Sequence, residues 1–311
     1  MVTALTRAAL VAAGLLAAAP VYALAPREAG PLYEGPAPGS ESWSEPRVVT
    51  VCGGSVQVFN TSQPRYELYL PDAGRATGAA VVMLPGGGLR VLGRGAGENA
   101  EIAAFLDHGV AVMLLEYRTR QMPAASLDGA CRGTDPDAPP VRFPPMQIVN
   151  GNANPARGDA TTNEVLRLST ADAQAAFAML HRRAGELGLD PDRIGVIGTS
   201  AGGGVAFGAM LADAPAETKP DFFISIFGPS LQDVHVPDPA PPLFLVTESD
   251  HGPVTDGLLA VFSIWKAADR KVELHVYEVP NFSMTVDLWG PRLFDWMQER
   301  GITPANNGPD Q

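Results

Sequence analysis

Cysteine and histidine are scarce in this 311-residue chain, and the scarcity narrows what it does. It has two cysteines, Cys52 and Cys131, and five histidines, and none of them recurs at the spacing of a zinc site. No metal and no cofactor is therefore expected. No histidine follows His275, an absence that returns below. Positive charge is short as well: 22 Lys and Arg stand against 34 Asp and Glu, a formal net charge of −12. A surface of that sign repels phosphate backbones, which argues against nucleic acid as a partner and against acidic polymers as substrates. Neutral sugars and esters stay open. Beyond residue 23 no stretch is apolar over the ~20 residues that span a bilayer, so no stable membrane span is expected in a processed chain.

What is present begins with an export signal. Arg7 supplies a positive start, Ala8 to Ala19 an apolar run, and Val21-Tyr22-Ala23 the small residues a signal peptidase needs. Residues 1–23 are read as a signal peptide cleaved after Ala23, and the mature protein as secreted or periplasmic. In an oxidising compartment Cys52 and Cys131 could pair, although connectivity is not readable from spacing.

Residues 24–46, rich in Pro, Gly, Ser and Glu, read as an extended arm. From 47 to 303 short apolar runs alternate with helical patterns, as in βαβ units with a mostly parallel sheet flanked by helices. Strands are expected at 48–52, 56–59, 66–70, 79–84, 110–116, 194–197, 222–226, 243–247 and 273–277. Helices are expected at 99–107, from about 173 to 187, at 203–211, at 257–268 and near 291–300. Residues 119–169 break the rhythm, with several prolines, Cys131 and an Asn-Gly-Asn turn at 150–152. So long a segment is usually functional or irregular, and both a lid and a surface excursion fit it. Residues 304–311 read as a flexible tail.

The sharpest local signal is Gly198-Thr199-Ser200-Ala201-Gly202, with an apolar strand before it and a small-residue helix after it. In that context a strand turns abruptly into a helix, and the serine is held in a strained conformation with its hydroxyl exposed. The helix N-terminus points free N–H groups at the place where negative charge would develop. Pro85-Gly86-Gly87-Gly88, at the end of an earlier strand, fits an oxyanion-hole loop in the right chain order. Gly87, Gly88 and Ala201 are the expected amide donors.

The stretch from Pro31 to about Gly301 resembles secreted α/β-hydrolases of the acetyl esterase/lipase group, including acetylxylan-esterase-like proteins. The likeness is carried by the glycine loop, Glu98 with Ala103 and Leu106, Glu116-Tyr117-Arg118, Asp172-Ala173-Gln174, the run Gly188 to Ile194, and the serine turn. It implies an α/β-hydrolase fold and a serine carboxylesterase acting on small acyl esters, acetylated carbohydrates among them. Two features depart from the pattern: Leu89 stands where the family often has an aromatic residue, and the 119–169 span is long.

In this fold the acid follows the next-to-last strand and the histidine follows the last. Asp250, after the strand at 243–247, resembles the family acid, with Glu248 and Asp256 as fallbacks. The histidine position is vacant: after the last strand the chain reads Val279-Pro280-Asn281-Phe282-Ser283, so Asn281 or Phe282 fills the slot. Of the five histidines, His108 is expected to cap a helix. His181 is expected to lie exposed on one, His235 sits in a Pro-rich loop, and His275 alternates within a strand. His251 lies in the right neighbourhood, although its neighbour Asp250 is poorly placed to orient it, and it leads a weak field as base. Serine is a weak nucleophile unless a base takes its proton. The alternative to an esterase is thus a catalytically degenerate hydrolase fold that binds a ligand or carbohydrate.

Overall fold

The structure, a computed structural model, describes residues 24–127, 144–279 and 284–304. The signal peptide, Cys131, the slot residues Asn281 and Phe282, and the tail from 305 onward lie outside the described residues.

Eight strands form the main sheet: β1 (Glu28–Pro31), β4 (Arg65–Tyr69), β5 (Ala80–Leu84), β7 (Ala111–Glu116), β8 (Ile194–Thr199), β9 (Phe223–Ile226), β10 (Leu243–Glu248) and β11 (Val272–Tyr277). Their order is β1-β4-β7-β5-β8-β9-β10-β11. Only β4 pairs antiparallel, with β1 on one side and β7 on the other; from β7 onward every pair is parallel. A smaller antiparallel sheet joins β2 (Val48–Cys52), β3 (Ser55–Phe59) and β6 (Val91–Arg94).

The central strands are buried on both faces, which explains their unbroken apolar runs. Their side chains alternate between two cores. Val82, Met113, Val196 and Leu245 face α2 (Ala160–Leu187), α3 (Ala201–Leu211) and α4 (Pro253–Ala267). Val81, Val112, Ile197 and Phe244 face α1 (Ala96–Asp107) and α5 (Val286–Glu299), where Trp289 and Trp296 are fully buried. This two-layered packing is the expected α/β class with a mostly parallel sheet. Among the described residues no helix is long and apolar enough to cross a membrane.

Three differences from the sequence reading bear on the site. The arm at 24–46 contributes β1, so it is partly a sheet edge. Strand β6 follows the glycine loop directly. Helix α2 starts at Ala160, where the Asp159 carboxylate accepts from the Thr161 and Thr162 amides, and it ends at Gly188 in the left-handed conformation. The described flanks of the long 119–169 span are tied down. The Thr119 amide donates to the Thr61 carbonyl, the Thr61 amide donates to the Thr119 hydroxyl, and the Ala153 amide donates to the Ser230 carbonyl at 2.9 Å.

Candidate active site

Ser200 sits at the turn between β8 and α3 with φ 51° and ψ −124°, a region costly for any residue with a Cβ. Its amide donates to the Ile226 carbonyl at 3.1 Å, and its carbonyl accepts from Gly203 at 2.9 Å, so the strained conformation is held from both sides. The side chain is half-exposed and makes no capping bond to the helix. Close approach at Gly202 permits the bend: a Cβ there would lie 2.1 Å from the Leu84 carbonyl oxygen.

The glycine loop lies against this serine. A Cβ on Gly86 would stand 3.0 Å from that of Ser200. Gly87 has φ +134°, and a side chain there would run into the Val91 carbonyl at 1.7 Å, so only glycine fits. The Gly87 carbonyl accepts from Arg90 and Val91, folding the loop back into β6. Among the described residues the Gly87 and Gly88 amides donate to no protein acceptor. Leu89 is buried in the core with φ 58°. Ala201 is the first residue of α3, whose leading N–H groups have no intrahelical acceptor. Two sets of amides thus converge on the Ser200 turn.

Tyr117 holds the loop from behind, a role the sequence did not disclose. It is fully buried, and its hydroxyl donates to the Pro85 carbonyl at 2.6 Å. Tyr117→Phe leaves that carbonyl without its partner, and a loss of about 1–2 kcal/mol in unfolding free energy is expected, read by urea denaturation.

At the end of β10 the structure brings together Glu248 and His251, with 3.0 Å between His251 Nδ1 and Glu248 Oε1 and both side chains 6% exposed. Asp250, the expected acid, and Asp256 are both exposed. The fallback Glu248 is therefore the carboxylate beside the imidazole. A turn places them together: Gly252 has φ 53° and starts α4, bending the chain so that residues three apart meet. The Thr255 hydroxyl donates to the Glu248 carbonyl and secures the turn. Phe227, the residue after β9, has its ring centroid 5.7 Å from the imidazole.

A carboxylate at 3.0 Å favours the charged imidazole, yet the desolvation of so buried a ring outweighs it and pushes His251 down to about 4. The ring is neutral at pH 7. With the folded value below the unfolded one, the stability it confers is complete above about pH 6.5 and is lost as pH falls toward 4. Melting temperature should decline through that window in the wild type and decline less in His251→Gln, as calorimetry across pH would show.

The other histidines are committed elsewhere. His108 ends α1, with Nδ1 2.8 Å from the Ala104 carbonyl and the ring stacked on Phe294. His275 Nε2 lies 2.8 Å from Glu273, which also holds Arg292. His235 is exposed. His181 is half-buried rather than exposed, on α2. Cys52 is disulfide-bonded; Cys131, its expected partner, lies outside the described residues. Among the described residues no group of three His, Cys, Asp or Glu side chains is placed to hold a metal.

No family model and no curated protein matches the chain. Solved structures do. An acetyl ester-xyloside bifunctional hydrolase from Caldicellulosiruptor lactoaceticus superposes with a TM-score of 0.56 at 18% identity, covering 90% of this chain and 99% of its own. A thermophilic esterase from Thermogutta terrifontis gives 0.54 at 16%, covering 86% and 96%. A sugar hydrolase from Lactococcus lactis gives 0.50 at 15%, covering 82% and 98%. These likenesses, with the sheet order above, show that the chain has the α/β-hydrolase fold.

Proposed function

We propose that this protein is a serine carboxylesterase that hydrolyses small acyl esters through an acyl-enzyme on Ser200. One observation carries the reading: a half-exposed serine is held at φ 51° between a strand and a helix, against a glycine loop with unengaged amides. Strain of that kind costs about 1–3 kcal/mol and persists where it serves a site.

In the proposed reaction the Ser200 hydroxyl attacks the ester carbonyl. The oxyanion is met by the amides of Gly87, Gly88 and Ala201. His251 takes the serine proton on Nε2 while Glu248, at 3.0 Å, orients Nδ1. The protonated imidazole then gives that proton to the departing alcohol, and water reverses the sequence to free the acid. His251 is neutral at pH 7 and so can accept the proton, but a value of about 4 makes it a weak base, and slow turnover is expected. Acetylated carbohydrates are the proposed natural esters, in line with the hydrolases of similar fold, and export to the periplasm or medium would bring the enzyme to them.

The absence of any histidine after His275 favours one competing reading, a hydrolase fold retained for binding. Labelling by a fluorophosphonate probe together with turnover of p-nitrophenyl acetate decides between them. An unlabelled, inert protein overturns the esterase reading. Phe282→His tests the base. Turnover within a few-fold of wild type supports His251, whereas a rise of about 10²–10⁴-fold means that the base had been lost with that slot.

A further inference from the structure

A cleft of about 410 Å³ with mixed polar and apolar walls opens beside α3, and no glycine-loop residue lines it. Its walls come from three places: the Asn-rich segment at 150–157, the N-terminal half of α2, and residues 231–233 after β9. It is tied to the helix that begins at the nucleophile. Gln232 Nε2 donates to the carbonyl of Gly204, four residues beyond Ser200 on the same helix and thus ~6 Å along its axis. The volume falls within the range of about 300–1,000 Å³ typical of small-molecule sites.

Three of the lining amides are anchored at one end and open at the other, while Asn152 is engaged at both. Asn154 is 4% exposed; its oxygen accepts from the Ala156 amide, and among the described residues its Nδ2 has no partner. Asn163 donates to the Arg157 carbonyl and keeps its oxygen open; Gln232 does the same after donating to Gly204. The Asp233 carboxylate is fixed by the side-chain amides of Asn152 at 2.9 Å and Asn150 at 3.2 Å. The cleft thus offers the Asn154 amide as a donor, two amide acceptors, one oriented carboxylate, the Thr170 hydroxyl and the edges of two arginines. Leu166 and Leu231 add apolar surface.

That inventory fits hydroxyl groups, which donate and accept at once. A ligand without acceptors leaves the Asn154 amide unpaired, and one without donors leaves the oxygens unpaired, each at a desolvation cost. Arg157 and Arg167 also line the cleft, but Arg167 is paired with both Glu164 oxygens and Arg157 with the Val149 and Asn152 carbonyls, and Asp233 supplies the opposite charge, so the balance favours a neutral ligand. We infer that this cleft binds a neutral carbohydrate, the alcohol portion of the ester cleaved at Ser200. The inference rests on the esterase reading for its purpose, and its test is separate from turnover.

Isothermal titration of wild type and of Ser200→Ala with xylotriose, cellotriose and mannotriose provides that test, with glucuronic acid as the charged control. At least one trisaccharide should bind both proteins equally. Asn154→Leu and Asp233→Leu should each weaken that binding about tenfold or more. Asn154→Asp, which turns the donor into an acceptor at the same size, should do likewise, with a lowered melting temperature from the buried carboxylate and circular dichroism at the titration temperature confirming that it is folded. Absence of binding by all three sugars, binding unchanged in Asn154→Asp, or tighter binding of glucuronic acid overturns the inference. Sugar binding without probe labelling would leave it standing while the esterase reading falls.

Discussion

Ser200→Ala is expected to lower kcat/KM for p-nitrophenyl acetate by about 10³-fold or more and to abolish labelling by a fluorophosphonate. The size follows from what the hydroxyl does. It is the only atom of the proposed site that forms a bond to the acyl carbon, so its loss removes the covalent route while the Gly87, Gly88 and Ala201 amides remain. Those amides and substrate binding alone retain the weaker part of catalysis, roughly 10³–10⁴-fold over water in serine hydrolases generally. A residue of activity is therefore expected rather than none. Stability should move little, within about 0.5 kcal/mol, because alanine meets the same backbone strain at φ 51° and Ser200 makes no capping bond. Equal turnover by Ser200→Ala and wild type, with both correctly folded, would place hydrolysis away from this turn.

The serine turn was legible because its requirements are local. A strand, two flanking glycines and a small-residue helix are adjacent in sequence, and the backbone does what they permit. The central strands were legible for a related reason: β5, β8 and β10 are buried on both faces, so they carry continuous apolar runs. Strand β1 escaped because an edge strand reading Glu-Ala-Gly-Pro has neither alternation nor an apolar run. The first turns of α2 escaped because Ala160 to Asn163 is mostly polar and exposed or half-exposed, although Asp159 followed by two threonines was a capping signal that could have found them.

The pairing of Glu248 with His251 was harder to read. Sequence spacing made Asp250 the natural acid, and only the bend at Gly252 turns Asp250 outward and Glu248 inward. The cleft lay further out of reach. Asn152 and Asp233 are 81 residues apart, and their contact depends on how one loop packs across another. The Asn-Gly-Asn turn was visible, but nothing local says that its amides would fix a distant carboxylate.

Asp172→Ala should be the most destabilising single change outside the serine turn, at about 3–5 kcal/mol by denaturant unfolding. Asp172 and Arg118 are 0% and 1% exposed, and the guanidinium reaches both carboxylate oxygens, at 2.7 and 3.0 Å. The carboxylate also accepts from the Arg118 amide and from the Tyr33 hydroxyl, each at 2.9 Å. Removing it strands a cation where water cannot reach. Typical domains are stable by only about 5–15 kcal/mol, so the loss is a large fraction of the total. Arg118→Leu with Asp172→Leu should cost less than the two single changes summed, because no lone charge remains, although the Pro38 and Leu168 carbonyls then lose the donor they share. The effect should extend to the site. Arg118 follows Tyr117, which holds Pro85, and Asp172 lies on α2, whose first half walls the cleft. Turnover and sugar binding in Asp172→Ala should therefore fall together at temperatures where the wild type is intact. A variant as stable as wild type would show that this buried pair does not join the arm, the glycine loop and α2 into one unit.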